Sequence, residues 1–384
     1  MNRPVTEAGA PTGLKEPRRL PDEVWTATSG RPWKGYDVAR TAIGLDIGTS
    51  SVRAAELSFG KGGVTLEKFG QVAVPEGAVR DGEVLDTVSV AAAIRQLWAA
   101  TRFSHKKVVM GVANQRVIVR QVDMPVMPAA DLRKALPFQV QDMLPMPVEQ
   151  AILDFHPLET VNGSDGPMTR GLLVAAARDT VLANVQCAQR AGLNPTMVDL
   201  TSFAVLRAIG TRDDEKVRTE ALVDIGSRVT NIVVHSAGVP RFVRILLMGG
   251  QDITDSVAEK LGVPLSEAEG IKQSLGSGEV GGQLAMGARA ADTTAQTFVD
   301  EVRGSLDYFA ASNPSHAIGR LVLSGGGSLM KGMASRLANA TRLDVVAGDP
   351  MSGLHVGDTG LDDLQLAHIQ PLAAVPVGLA LGAA

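Results

Sequence analysis

The chain has 384 residues, of which 45% are hydrophobic and 20% are charged, and its formal net charge is -4 at pH 7. This length predicts two to three compact units with a sizeable core. Nucleic-acid binding depends on clustered Lys and Arg, which the sequence does not contain, so the charge pattern argues against a nucleic-acid partner.

Signals for export or membrane insertion are missing from the sequence. No N-terminal segment joins a basic start to an apolar run, and no continuous apolar window is long enough to span a bilayer. The single cysteine, Cys187, lies in a stretch with helical periodicity and is expected to be a packed thiol. We therefore expect a cytoplasmic protein.

Residues 1–40 are rich in Pro, Gly, Thr and charge, and they are predicted to form a flexible N-terminal extension. They also contain Trp25, Trp33 and Tyr36. A short motif that becomes ordered on a partner or on the rest of the chain is therefore the alternative interpretation.

Regular structure begins at residue 41, where alternation and β-branched residues predict strands. In chain order we expect strands over 42–48, 52–59 and 64–75, a helix over 86–103 and two strands within 106–125. After an irregular segment follow a strand over 170–178, a helix around Cys187, and a strand and a helix within 194–210. These elements form a predicted first lobe, residues 41–210.

The irregular segment, about residues 123–170, differs in composition from its surroundings. Five prolines and four methionines fall between residues 124 and 147, around a short helical piece over 129–136. This composition predicts a small inserted subdomain with an adaptable apolar surface, since Met-rich surfaces can repack around partners. Ordinary core methionines beside proline turns are the alternative.

The second half, residues 211–384, is predicted to form a second lobe. It is expected to contain a strand pair around Asp224, a strand over 241–250, a helix over 251–262 and an acidic, glycine-rich helical region through residue 284. A long helix near 297–312, a strand over 320–328, a helix over 329–340 and a packed helix within 368–384 complete it.

Two strand pairs, within residues 43–57 and 221–235, share one layout of strand, acid, glycine turn, hydroxyl and strand. The aligned positions are Asp46 with Asp224, Gly48 with Gly226, and Thr49 with Ser227. A glycine turn lets backbone N–H groups approach an anion, so two facing turns would clasp a phosphate chain. The carboxylates would then hold a hydrated Mg²⁺ or orient an attacking water.

A third motif, Gly325 to Gly327, follows a predicted strand and precedes a helix. Such a backbone platform suits a nucleotide base, a sugar or an α-phosphate beside a helix N-terminus. A glycine triplet alone is more often a sharp turn. Its occurrence after two matching acid-glycine turns is what indicates a nucleotide site.

In this order, "GLDIGTSS", "VDIGSRVTNI" and "LSGGG" resemble the phosphate-1, phosphate-2 and adenosine motifs of the actin, Hsp70 and sugar kinase ATPase superfamily. Within it, residues 43–384 resemble the PilM family of type IV pilus assembly, which is similar to the cell-division protein FtsA. The resemblance implies an actin-like (ribonuclease H-like) α/β fold with two lobes, mixed sheets flanked by helices, and an FtsA-like inserted subdomain over about 123–170.

The resemblance also implies roles for individual residues, with ATP and Mg²⁺ as cofactors. Asp46 and Asp224 would hold Mg²⁺ through water and act in catalysis, and Asp199 would lie near the attacking water. The remaining implied contacts are Gly48, Thr49, Ser50, Gly226, Ser227 and Thr230 with the phosphates, Glu269 and Lys272 with the ribose and base, and Gly325, Gly326 and Gly327 with the adenosine.

Two arginines depart from the family pattern. Arg53 stands where the first motif usually has Lys, and Arg228 replaces a small residue in the second phosphate loop. A bulky cation in that loop could assist the phosphates or obstruct them. Slow ATP hydrolysis is therefore expected at most.

The function implied by the resemblance is that of an ATP-binding scaffold on the cytoplasmic side of the inner membrane. It would bind the N-terminal tail of a PilN-like inner-membrane protein and connect it to cytoplasmic motor components. Two alternatives stay open, a small-molecule kinase of the same superfamily and a structural pseudo-ATPase without nucleotide. The sequence also leaves open whether the chain forms homo-oligomers.

Overall fold

The computed structural model describes residues 41–163, 166–211, 219–274 and 282–383. The predicted N-terminal extension lies outside these ranges. The strands are β1 (Thr41–Ile47), β2 (Ser51–Gly60), β3 (Gly63–Ala73), β4 (Val79–Arg80), β5 (Glu83–Val84), β6 (Lys107–Val112), β7 (Val117–Pro125), β8 (Ala151–Gly163), β9 (Gly166–Ala177), β10 (Asn194–Leu200), β11 (Thr219–Ile225), β12 (Thr230–Ser236), β13 (Val239–Leu246), β14 (Arg320–Ser324), β15 (Asp344–Ala347) and β16 (Leu354–Val356). The helices are α1 (Thr87–Thr101), α2 (Ala129–Val140), α3 (Arg178–Arg190), α4 (Thr201–Ile209), α5 (Gly250–Leu261), α6 (Leu265–Ser274), α7 (Gln283–Ser312), α8 (Met333–Thr341), α9 (Asp363–Ile369) and α10 (Ala374–Leu381).

The first sheet is a mixed sheet of six strands in the order β10-β6-β1-β2-β3-β16. Strand β1 pairs antiparallel with β2 and parallel with β6, and β6 pairs parallel with β10. Nearly every residue of β1 is buried, because helices cover the sheet. Helices α1 and α3 contribute Ile94, Leu97 and Val185 to the core that β1 and β6 share.

The second sheet has the order β13-β12-β11-β14-β15 and repeats the arrangement of the first. Its central strand, β11, pairs antiparallel with β12 and parallel with β14, as β1 does with β2 and β6. Helices α5, α7 and α8 supply the core on this sheet, including the fully buried rings of Phe298 and Phe309. Two mixed sheets flanked by helices agree with the expected fold class.

A third sheet, β7-β9-β8, is antiparallel throughout and carries α2. It has a small core of its own formed by Met124, Leu136, Val140, Phe155 and Leu173. One of the four methionines of this segment is therefore core filler, whereas Met143 is exposed. The segment therefore has both a core methionine and an exposed methionine, so each interpretation of its composition describes part of it.

The C-terminal segment contacts the first sheet, although the sequence analysis grouped it with the second half. Strand β16 pairs parallel with β3, and α10 packs on β1 and α4. Two glycines permit this close approach: a Cβ on Gly44 would lie 2.0 Å from the Pro376 carbonyl oxygen, and one on Gly378 would lie 1.8 Å from the Ala204 carbonyl oxygen.

Two predictions about single elements can be compared with the structure. Cys187 is buried in α3 and makes no disulfide, and burial raises the pKa of its thiol to about 11, so the prediction of a packed thiol is confirmed. Across the described ranges no single helix is long and apolar enough to cross a membrane. The pair Asp363–Leu372 and Ala374–Leu381 reaches that length only across a bend of 76°.

Candidate functional site

The two repeated strand pairs form matching hairpins. In the first, the backbone N–H of Gly48 donates to the Ser51 carbonyl over 3.0 Å, and in the second, Gly226 donates to Val229 over 3.0 Å. Both turns face one cleft of about 710 Å³, which is lined by residues of both sheets. The duplication seen in the sequence is thus also a duplication of backbone geometry.

Each acid lies one residue before the end of its strand and points into a recess behind the turns. Asp46 and Asp224 are both only 7% exposed, and both line a smaller cavity of about 60 Å³ that adjoins the cleft. The structure therefore brings the two acids together.

The partner of each acid on the neighbouring strand is different. Arg53 lies opposite Asp46, and its Nη2 atom is 2.9 Å from Oδ2 of that carboxylate. Asn231 lies opposite Asp224 at the equivalent position, hydrogen-bonds it, and accepts a hydrogen bond of 2.9 Å from the Ser202 hydroxyl. The first hairpin thus supplies a cation and the second a neutral amide.

Burial affects the protonation of both carboxyls. Removal from water raises the pKa of Asp46, and the nearby Arg53 guanidinium opposes that rise. Burial raises the pKa of Asp224 to about 6, while Arg53 lowers it and the charge of Asp46 raises it further. Asp224 therefore titrates close to neutrality, in the range where a carboxylate can accept a proton from water.

A hydrogen-bonded group from α5 and α6 lies in the cleft wall beside the second turn, since the N–H of Gly250, the first residue of α5, donates to the Gly226 carbonyl over 3.0 Å. Nζ of Lys272 lies 2.7 Å from Oε2 of Glu269, and it donates to the Gly250 carbonyl over 3.0 Å and to the Thr254 hydroxyl over 2.9 Å. Thr254 in turn donates to Glu269 over 2.5 Å. The Glu269–Lys272 pair, separated by one helical turn, is therefore held rigidly at the wall of the cleft.

The glycine triplet continues this wall after β14. Gly326 and Gly327 line the cleft, whereas Gly325 lies behind them with φ +80° and donates to the Pro371 carbonyl over 2.8 Å. A Cβ on Gly325 would lie 2.3 Å from the Ile225 carbonyl oxygen, so only glycine fits there. This contact fixes the triplet against the end of β11.

Most of the residues singled out in the sequence meet at this cleft or its recess. They are Asp46, Gly48, Thr49, Ser50, Asp224, Gly226, Ser227, Glu269, Lys272, Gly326 and Gly327.

Besides Gly325, which lies behind the wall, two of the sequence-predicted residues lie away from the cleft and the recess. The Asp199 carboxylate forms an ion pair with Arg207 and accepts a hydrogen bond of 2.7 Å from the Leu200 N–H. It is fully buried and absent from the walls of both cavities, because this salt bridge turns it towards α4. Thr230 is also buried, and its hydroxyl donates to the Met248 carbonyl over 2.7 Å, so it is occupied in joining β12 to the loop before α5.

Arg228 does not block the second turn. Its guanidinium forms ion pairs with Asp252, at 3.2 Å, and with Asp255, at 2.5 Å, both in α5. Asp252 also accepts from the Gly249 N–H over 2.8 Å at the start of that helix. Arg228 therefore lines the cleft while it is anchored to its outer wall.

Sequence reasoning missed several residues at the site. Asn184 of α3 lines the recess, and its Oδ1 atom is buried without a hydrogen-bond partner within the part of the chain that the structure describes. Thr201 of α4 lines the same recess. Asn184 carries no signal in the sequence. Arg53 and Asn231 could have been found, because continuing the alignment of the two hairpins by four residues places them at equivalent positions.

The chain is similar in sequence and in fold to several known proteins. The family described as "Type IV pilus assembly protein PilM" matches residues 44–384. The solved "PilM-PilN type IV pilus biogenesis complex" is 27% identical, with a TM-score of 0.78 over 91% of this chain and 100% of that one. The ethanolamine utilization protein EutJ from Carboxydothermus hydrogenoformans, 16% identical, has the same fold with a TM-score of 0.51 over 92% of both chains.

The cell-division protein FtsA is a further relative. The chain is 30% identical to FtsA of Neisseria meningitidis serogroup B over 260 residues, which is 60% of each protein. It is 24% identical to FtsA of Bacillus subtilis over 260 residues, which is 61% of this chain and 58% of that protein. The chain thus spans less than two thirds of these relatives. Together with the family match over nearly all described residues, the comparisons establish that the chain has the actin-like fold and belongs to the PilM family of type IV pilus assembly proteins.

Proposed function

We propose that this chain binds ATP in the cleft and acts as a cytoplasmic scaffold of type IV pilus assembly. In this proposal it docks the N-terminal tail of a PilN-like inner-membrane protein and is associated with the membrane through that partner. The observation that carries the nucleotide part is one cleft whose walls contain both matching glycine turns, the glycine triplet and the Glu269–Lys272 pair.

The groups along the cleft fit a nucleoside triphosphate. Glu269 supplies an acceptor suited to ribose hydroxyls, Lys272 supplies a positive charge beside it, and Gly326 and Gly327 leave room for flat rings to approach the backbone. The hydroxyls of Thr49, Ser50 and Ser227 line the cleft at the two turns, where phosphates would lie.

The acids do not fit a magnesium ion held by both of them. One carboxylate, Asp46, already faces the guanidinium of Arg53 at 2.9 Å. A hydrated dication between the acids would meet this positive charge in a buried recess, where like charges repel strongly. Mg²⁺ bound by both acids, as the family resemblance implied, is therefore not part of this proposal.

The chain's own groups suffice for binding and for slow hydrolysis. A phosphate chain that touches both hairpins would draw the two sheets together, and its loss would release them, as in other clefts that close around a ligand. Asp224, with its pKa of about 6, would orient a water molecule and accept its proton. Asn184 offers a buried acceptor for a water molecule in the same recess.

The partner is suggested by the solved complex, which contains a PilM and a PilN. Three exposed apolar side chains lie on α2 and on the segments just before and after it, namely Phe138 on α2, Val126 before it and Met143 after it; we call these the insertion surface. Phe138 is 77% exposed, and such apolar groups on a folded subdomain suit a peptide partner. We propose this surface as the docking site for the PilN-like tail.

The experiment that tests the proposal titrates the purified full chain with a fluorescent ATP analogue and, separately, with a synthetic peptide of the PilN-like N-terminal tail. Saturable binding of both, with a peptide affinity that changes when nucleotide is present, is the expected result. Saturable peptide binding without any nucleotide binding would instead indicate a structural pseudo-ATPase. Transfer of phosphate to a small metabolite would indicate a kinase.

A further inference from the structure

One cation, Arg53, lies where the cleft meets the recess, and contacts on several sides fix its position. The Arg53 side chain is 15% exposed and lines both the cleft and the recess. Its Nη2 atom faces Asp46 at 2.9 Å, and Nη1 donates to the Leu372 carbonyl over 3.4 Å. The same guanidinium also lies against the first turn, since a Cβ on Gly48 would be 3.3 Å from Nη2.

Three other cations line the cleft: Lys272 is paired with Glu269, Arg228 is paired with two acids of α5, and Arg80 is exposed on β4. Of these four cations, Arg53 is the one that also lines the recess. Arg53 is the cation that stands between the two acid-bearing hairpins, and its field reaches Asp224 as well as Asp46. Its Nε atom is buried without a hydrogen-bond partner in the described structure, so the guanidinium retains donor capacity.

We propose that Arg53 is a resident cation that takes the place of a protein-bound divalent metal in this cleft and donates hydrogen bonds to the phosphates of the nucleotide. This inference rests on the proposed nucleotide binding. Arg53 neutralises one of the two facing carboxylates before any ligand arrives. A planar guanidinium also suits phosphate oxygens, which it contacts through two parallel N–H groups.

The equivalent position in the second hairpin explains why the cation matters. There Asn231 is neutral, so the recess holds two carboxylates and one cation. Without Arg53 two buried negative charges would face the phosphates, and a divalent cation would be needed to offset their repulsion. With Arg53 present, nucleotide affinity depends little on added metal.

The test measures the affinity of a fluorescent ATP analogue for the full chain in Mg²⁺ and in EDTA. For the wild-type chain the affinity is expected to differ less than about threefold between the two conditions. For Arg53→Gln it is expected to fall about 10- to 100-fold in EDTA, as for loss of a charge-assisted hydrogen bond, and to recover in part with Mg²⁺. Arg53→Lys, which keeps the charge, should show a smaller loss in EDTA.

Two results would overturn the inference. A wild-type chain that binds the analogue only with Mg²⁺ would place the metal, and not Arg53, at the phosphates, while leaving the proposed nucleotide function intact. Equal affinities for Arg53→Gln and wild type in EDTA would show that Arg53 does not contact the phosphates, and would also leave the nucleotide function intact. No binding to any variant in either condition would reject the nucleotide function itself, and with it the role of Arg53. If Arg53→Gln unfolds, the inference is still tested by the wild-type affinity in Mg²⁺ against that in EDTA, and by the affinity of Arg53→Lys in EDTA.

Discussion

Arg53 lies directly across the first hairpin from Asp46, with Nη2 2.9 Å from the carboxylate oxygen Oδ2. The second hairpin has the same backbone but places Asn231 opposite its acid. The two halves of the cleft are therefore alike in shape and different in charge. This asymmetry would let the first hairpin attract phosphate oxygens while the second positions water.

Replacing Asp224 with Asn should stabilise the protein above pH 6 and have a smaller effect at pH 4. The pKa of this carboxyl rises from 3.8 to about 6 on folding. The folded state thus binds the proton more tightly, so the contribution of Asp224 to stability falls as pH rises through this window. Asp224→Asn removes that loss, which is on the order of 3 kcal/mol once the carboxyl is fully ionised.

Urea unfolding of Asp224→Asn and of the wild type at a series of pH values from 4 to 8 measures this difference. Asp344→Asn, which changes an exposed aspartate on β15, controls for the loss of one negative charge. A stability difference between Asp224→Asn and wild type that stays constant across the series would show that Asp224 does not titrate near neutrality.

Replacing Lys272 with Ala should weaken ATP binding about 10-fold or more, because it removes a charged donor and releases Glu269 from its partner. Lys260→Ala, which removes an exposed lysine at the end of α5, is the matched control and should bind as the wild type does. Fluorescence titration gives both dissociation constants. Equal losses of ATP affinity in Lys272→Ala and Lys260→Ala would mean that binding depends on the net charge of the protein and not on the position of Lys272.

Gly325→Ala should destabilise the protein more than Gly332→Ala does. Both glycines have positive φ, +80° and +82°, so both substitutions cost about 1 kcal/mol of backbone strain. Only at Gly325 would the new Cβ meet backbone, 2.3 Å from the Ile225 carbonyl oxygen, whereas Gly332 has no atom within 4 Å among the contacts described. Free energies of unfolding from urea titration test this difference, and similar values would contradict a tight fit between the triplet and β11.

Asp199→Asn should lower stability and leave nucleotide affinity nearly unchanged. In the Asp199–Arg207 ion pair the Asp199 carboxylate is buried, and Nε of Arg207 also donates to the Gly378 carbonyl of α10 over 2.9 Å. Breaking such a pair costs about 3 kcal/mol. Thermal unfolding and ATP titration on the same samples separate the two effects. A turnover defect in a variant with wild-type affinity and stability would return Asp199 to a catalytic role.

Phe138→Ser should weaken binding of the PilN-like peptide without lowering stability, because the ring is 77% exposed and contributes little to the core. Leu364→Ser, which changes an equally exposed apolar residue on α9, serves as the control. Peptide titration by fluorescence anisotropy distinguishes them. Unchanged binding to Phe138→Ser would place the partner on another surface.

Much of the fold followed from local patterns in the sequence. The alternating strands and the acid-glycine turns predicted the two hairpins, because these features depend on neighbouring residues. The composition of the insertion suggested a separate subdomain but not the third sheet, since β8 lies in the segment that was expected to be irregular. The paired glycines Gly44 and Gly378 gave no such signal, since their role is to let α10 approach β1 and α4 from far along the chain. Asp199 was assigned to the site from the family resemblance, and its ion pair with Arg207 of the following helix could not be recognised from the sequence.

A crystal structure of the full chain with a non-hydrolysable ATP analogue tests the central claim most directly. The account predicts that the phosphates lie between the Gly48 and Gly226 turns with Arg53 in contact with them, and that the base lies beside Lys272 and Gly327. Electron density for the analogue at another surface, or an unliganded cleft at saturating analogue, would contradict it.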